Sequence, residues 1–311
     1  MGPPAAEPKV SVVIVSYNTR DLLRRAVASV ATEHEVVVVD NASSDGSVEM
    51  LRAEFPNAKV IANTRNVGFG AANNQGTDAA SGDLVLFMNS DACAELGAVA
   101  CLASVFQDPG VVAAGGRLLH PDGSLQESAA GELTLWAVLC EQLYLEKLFN
   151  RSRVFSPYWC SARLLASGDG PFEVPQVMGA CLMIRPVERF DERFFLYCED
   201  TDLCKRLASH GKIVYVPSAV FHHELGAGSS ARWEAVARYN AGKELYFHIH
   251  AGRIASAACH LFNRLGAKCR LIAWSFAWLA RRRSAGEKVS LFWKVLTAPV
   301  AGPSRPPDSA R

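Results

Sequence analysis

The sequence lacks net charge, paired cysteines and any long uninterrupted apolar run. Lys and Arg number 32 and Asp and Glu 31. The formal charge of +1 removes the electrostatic signature of a nucleic-acid-binding chain, so no nucleic-acid partner is expected. Nine cysteines are an odd number, and no C-x-x-C pair occurs among them. They are scattered and often sit in apolar runs, so free, mostly buried thiols in a reducing compartment are expected rather than a disulfide framework. Residues 254–280 are rich in Ala, Leu, Trp and Phe, but Arg264, Lys268 and Arg270 interrupt them. No apolar run of about 18 residues results, so a transmembrane span is not expected. The first nine residues have neither the basic start nor the apolar stretch of a signal peptide. The expected location is therefore cytoplasmic. No internal repeat is found.

Half of the 311 residues are hydrophobic, enough for a substantial core. In the first hundred residues, short apolar runs alternate with amphipathic segments. Strands are predicted at Val10–Val15, Val36–Val39, Lys59–Ala62, Leu84–Met88 and Val111–Ala114, from their β-branched content and length. Helices are predicted between them, the first carrying Leu22, Leu23, Ala26, Val27 and Val30 on one face. This alternation predicts an α/β fold with a mostly parallel sheet covered on both sides. Ligands bind such sheets at the carboxyl ends of the strands. Polar residues just after strands are therefore of interest: Ser16-Tyr17-Asn18, Asp40-Asn41 and Asn89-Ser90-Asp91.

Asp40 can accept from a base N–H or a ribose hydroxyl, or it can simply cap a turn. Asp91 offers the carboxylate that a hard cation such as Mg²⁺ or Mn²⁺ requires, with Asn89 beside it. Glu199, Asp200 and Asp202 crowd the start of a predicted helix. Such acids can serve the helix dipole, and mutual repulsion can also raise one pKa and suit Asp200 to be a general base. His222 and His223 precede a Gly/Ser segment, and His222 is the preferred partner for Asp91 in a metal site. Gly68-Phe69-Gly70 lacks the third glycine of a dinucleotide fingerprint. It is better taken as a turn that feeds Asn73 and Asn74 into a pocket.

Eight segments, in order, resemble family 2 glycosyltransferases of the GT-A fold, within them the bacterial rhamnosyltransferase-like branch. They are VSVVIVSYN (10–18), VVVVDNASSDGS (36–47), NVGFGAANNQG (66–76), DLVLFMNSDA (83–92), PDGSLQES (121–128), VMGACLMIR (177–185), FDERFFLYCEDTDLCKRL (190–207) and HHELGAGSS (222–230). The resemblance implies an inverting transferase that uses a TDP-, UDP- or GDP-sugar, rhamnose first among the sugars. It implies a glycan or lipid-linked acceptor and Mg²⁺ or Mn²⁺ as cofactor, in cell-surface polysaccharide synthesis. It further implies donor contacts from Ser16, Asn18, Asp40, Asn73 and Asn89, metal contacts from Asp91 and His222, and Asp200 as base supported by Glu199 and Gly179. Asn89 stands where many relatives carry an acid, and Arg185–Phe190 is shorter than the usual helix there. A sugar nucleotidyltransferase and a non-catalytic binding subunit are the competing readings. The first would carry a Gly-rich loop after the first strand, where Ser16–Asp21 has no glycine.

The expected division is a catalytic domain over 8–250, a helical extension over 251–298 and a disordered Pro-rich tail over 299–311. Leu271–Ala280 followed by Arg281-Arg282-Arg283 suits a helix lying on an anionic membrane surface. It equally suits a core-packing helix with a basic end. A membrane contact through 254–283, at the cytoplasmic face, is the expectation carried forward.

Overall fold

A computed structural model describes residues 8–150, 152–168, 170–224 and 232–297. The tail over 299–311 and the Gly/Ser stretch after Glu224 lie outside them. The chain forms two compact units. The first is Met1–Gly131, Trp159–Glu192 and Asp200–Gly228; the second is Glu132–Tyr158, Arg193–Glu199 and Ser229–Arg311. The boundary thus differs from the sequence expectation. Among the described residues the helical unit takes in the chain from Arg232, ahead of residue 251, together with two upstream segments.

In the first unit, β1 (Val10–Ser16), α1 (Arg20–Ala28), β2 (Glu35–Asp40), α2 (Ser47–Glu54), β3 (Lys59–Ala62), α3 (Phe69–Ala79) and β4 (Leu84–Asn89) alternate as predicted. β5 (Ala92–Ala94), α4 (Ala98–Ser104) and β6 (Val111–Leu119) follow, then the short β7 (Leu125–Gln126) and β8 (Ala129–Ala130). β1 pairs in parallel with both β2 and β4, which puts Ser16, Asp40 and Asn89 at one edge of the sheet. These strands are buried on both faces, which is why they read as unbroken apolar runs. α3 lies close against β1, where a Cβ on Gly76 would meet a Val13 methyl at 2.2 Å. Only glycine allows that approach.

The later part of this unit holds α7 (Ser161–Leu165), β9 (Phe172–Glu173), β10 (Gln176–Val177), β11 (Cys181–Ile184), α8 (Glu199–Leu207) and β12 (Lys212–His223). The main sheet runs β3-β2-β1-β4-β11-β6-β12-β5, with β11 antiparallel to both neighbours. The apolar stretch over 177–184 is split at Gly179: β10 pairs with β8 and β11 joins the main sheet. β12 runs for 12 residues and shifts register between Val216 and Val220.

The second unit packs α5 (Leu135–Gln142), α6 (Leu145–Leu148), α9 (Arg232–Leu279) and α10 (Ala285–Thr297). α9 breaks at Gly252, whose φ of 82° is left-handed. Its core includes Leu133, Val138, Phe194, Tyr246, Phe247 and Cys259. Among the described residues, no helix is long and apolar enough to cross a membrane.

Candidate active site

The carboxyl ends of β1, β2 and β4 carry the first group of site residues. Asp40 ends β2 and is buried. Its Oδ1 accepts from the Ser43 N–H at 2.8 Å, while Oδ2 is buried without a hydrogen-bond partner. An unsatisfied buried carboxylate oxygen costs about 1–3 kcal/mol or more. A capping role uses only Oδ1 and leaves that cost unexplained.

Asn18 has a left-handed φ of 54°. Its backbone N–H donates to Ser43 Oγ and its Oδ1 accepts from the Ser44 N–H, both at 2.8 Å. It therefore ties the loop after β1 to the loop after β2. Ser16 is fully buried and bonds Thr19 Oγ1 at 3.0 Å. Thr19 in turn donates to Ser90 Oγ at 2.9 Å. The structure thus gives Ser16 an internal hydroxyl relay to the Asn89–Asp91 turn in place of an open donor-facing position. Asn73 is also buried, and its amide donates back to the Phe69 carbonyl at 3.0 Å. Asn74 reaches further, donating to the Phe190 carbonyl and to Glu192 Oε1 at 3.0 Å each.

The Asn89–Asp91 turn meets the end of β12. His223 Nε2 lies 3.1 Å from Asp91 Oδ1 and 3.2 Å from the Asn89 amide nitrogen. His223 Nδ1 lies 3.0 Å from Gln126 Oε1, in buried surroundings. With that carbonyl accepting from Nδ1–H, the ring is held so that Nε2 faces Asn89 and Asp91. His222 does not share the site. Its Nε2 lies 2.9 Å from Glu95 Oε1, and both side chains are more than 40 % exposed. The expectation that His222 partners Asp91 is therefore corrected to His223. The two histidines end a strand, and consecutive strand residues point to opposite faces.

Asp200, in the first turn of α8, is half-buried. The Gly179 N–H donates to its Oδ2 at 2.9 Å, and the Thr201 N–H donates to its Oδ1 at 2.8 Å. Protein packed around the carboxyl pushes its pKa up, and these hydrogen bonds only partly oppose the shift. The next residue after Gly179, Ala180, accepts at its carbonyl from the Asn89 N–H at 3.2 Å. One short stretch of backbone thus touches both the Asp200 carboxylate and the Asn89–Asp91 turn. Asp202 points elsewhere, paired with Arg206 at 2.8 Å. Glu199 begins α8 and is 5 % exposed. Tyr197 and Cys198, just before it, both have left-handed φ values of 75° and 68°. Two successive non-glycine residues in that region are strained.

Sequence reasoning missed Gln126 and the Tyr197-Cys198 turn. Gln126 had a signal, since it falls inside the PDGSLQES segment. The turn had none, because neither residue type favours a left-handed φ.

Residues 11–163 match the family described as glycosyl transferase family 2. The chain is 31% identical over 245 residues to the N-acetylglucosaminyl-diphospho-decaprenol L-rhamnosyltransferase of Mycobacterium tuberculosis, covering 68% of this chain and 75% of that protein. It is 28% identical over 260 residues to the O-antigen biosynthesis protein RfbC of Myxococcus xanthus, 75% of this chain and 18% of that one. In fold it resembles the mannosyltransferase PcManGT from Pyrobaculum calidifontis in complex with GDP-Man and Mn²⁺. That likeness has TM-score 0.53 and 16% identity, over 94% of this chain and 86% of that chain. It also resembles GalNAc-T7 with UDP, GalNAc and Mn²⁺, at TM-score 0.53 and 18% identity. There the match covers 78% of this chain and half of the other.

Proposed function

The chain belongs to glycosyl transferase family 2 and is a glycosyltransferase, and from that premise we propose an inverting rhamnosyltransferase acting on a lipid-linked acceptor. The donor is a nucleotide-diphosphate sugar, TDP-rhamnose first among TDP-, UDP- and GDP-linked sugars. The acceptor is a hydroxyl of an N-acetylglucosaminyl lipid diphosphate, met at the cytoplasmic face of a membrane. The observation that carries the reading is the Gly179-Ala180 link. It holds the Asp200 carboxylate beside the turn on which Asp91 faces His223.

The donor set at that turn suits Mg²⁺ or Mn²⁺. Asp91 supplies a carboxylate and His223 an imidazole nitrogen oriented by Gln126, with the Asn89 amide alongside. Among the described residues no third acid, His or Cys joins them. The remaining positions would fall to phosphate oxygens and water, as is usual for a nucleotide-bound ion. When bound, such an ion offsets the charge of the departing diphosphate.

The chain's own groups do the rest. Asp40, through its buried Oδ2, accepts a hydrogen bond from the donor's base or ribose. Asn18 fixes the two loops that flank that position. Asp200 takes the proton of the acceptor hydroxyl as its oxygen attacks the anomeric carbon. The bond from that carbon to the diphosphate oxygen breaks on the opposite face, and the configuration inverts. Glu199 opens the helix that carries the base.

Purified protein given TDP-rhamnose and a short-chain polyprenyl diphosphate N-acetylglucosamine tests this. The product's anomeric configuration, read by NMR, is expected to be opposite to the donor's. Transfer is expected to stop in EDTA and return with Mn²⁺. Retained configuration overturns inversion, and undiminished transfer in EDTA removes Asp91 and His223 from metal binding.

A further inference from the structure

The second arm of α9 displays an apolar stripe that nothing in its own unit covers. Ile254, Leu261, Leu265, Ile272, Phe276 and Leu279 are each between 42% and 89% exposed. At helical spacing they fall within about 60° of arc and span about 37 Å. The opposite face is already occupied. Cys259, Asn263, Gly266 and Ala267 are buried there. Asn263 Oδ1 accepts from the Gln142 side-chain amide at 3.2 Å, and Arg270 donates to the Glu141 backbone carbonyl at 3.0 Å. The stripe is therefore the outer side of an arm whose inner side is fixed. A monomer seldom exposes so continuous a run of large apolar side chains without a use.

The charge around the stripe selects what covers it. Residues 253–297 hold nine Lys and Arg and one acid, Glu287, in a chain whose net charge is +1. Arg253, Arg264 and Lys268 are exposed along one edge of the stripe, and Arg281, Arg282 and Arg283 are exposed just past its end. Trp278 and Trp293 are also more than half exposed, the residue type that settles at headgroup level. A second copy laid on the stripe would bring two such cationic clusters together. An anionic headgroup layer neutralises them, while its acyl chains accept the aliphatic and aromatic side chains.

We propose that the outer face of residues 254–283 docks the protein flat onto an anionic phospholipid surface. The inference concerns the C-terminal unit alone, so it can fail without the transfer reading failing, and the reverse.

The test uses the full chain and sedimentable vesicles of phosphatidylcholine, with or without about one-third phosphatidylglycerol. The protein is expected to sediment with the anionic vesicles and to stay in solution with neutral ones. Ile272→Glu with Phe276→Glu is expected to weaken binding about tenfold or more. Replacing Arg281, Arg282 and Arg283 by Ala together is expected to weaken it about a hundredfold, at roughly fivefold for each basic residue. All five side chains are exposed, so melting temperature and nucleotide binding should be unchanged in both variants. Absence of binding to anionic vesicles overturns the proposal, as does binding that survives the stripe substitutions. A dimer in sedimentation velocity that those substitutions dissociate would assign the stripe to a second copy and also overturn it.

Discussion

At the scale of single residues, the histidine pair shows how strand geometry assigns chemistry. His222 and His223 are chemically identical and adjacent, yet one meets Asp91 and the other a surface glutamate. An exposed pair of that kind contributes little. His222→Ala should therefore leave Mn²⁺ activation within about twofold of wild type. His223→Ala should weaken it by more than the factor of about 10–100 expected for Gln126→Leu, which disturbs only the ring's orientation. Mn²⁺ titrations of transfer rate check this, and equal effects at 222 and 223 would contradict the assignment. Asp200 gives a second test. An aspartate in the unfolded chain ionises near pH 3.9 or so, whereas the native carboxyl holds its proton to higher pH. Over that interval the folded state binds the extra proton, so the group's contribution to stability falls as pH rises. Asp200→Asn has no proton to lose. Its melting temperature relative to wild type should therefore rise from about pH 4 to about pH 7, and a difference flat in pH would indicate an ordinary carboxylate.

At the scale of elements, β1 to β4 were legible because buried parallel strands are written as apolar runs with polar residues at their ends. β12 was not. The shift of register after Val216 breaks the alternation, with Pro217 and Ser218 interposed. The strand then ends in two histidines, so its second half resembles a loop. Because that half was missed, so was the rule that sends adjacent residues to opposite faces, and His222 was chosen over His223. Gly179 entered only through the resemblance, as support for Asp200, and its physical role is not written in the sequence. It separates β10 from β11, and a Cβ there would stand 3.2 Å from the Asp200 Cβ. Gly179→Ala should displace the carboxylate by a few tenths of an ångström and lower kcat about tenfold or more, because catalysis is sensitive to such misplacement. Donor KM should change little. Unaltered kcat would mean that the position of Asp200 is not critical.

At the scale of the whole molecule, eight ordered segments made the family and the α/β class legible before any coordinates. The division into units was not, because residues 132–158 and 193–199 join the helical unit through contacts distant in sequence. Composition showed a near-neutral chain, with Arg264, Lys268, Arg270 and Arg281-Arg282-Arg283 gathered toward its end. The structure shows that these cations flank an exposed apolar stripe, which total charge conceals. The central claim remains the pairing of a divalent-ion turn with Asp200 as base, and one comparison tests it most directly. Wild type and Asp200→Asn are assayed for rhamnosyl transfer with saturating TDP-rhamnose and Mn²⁺, and for TDP affinity by calorimetry. The account predicts that the variant binds TDP as wild type does and transfers about 10²–10⁴ times more slowly. Transfer near the wild-type rate in that variant would contradict it.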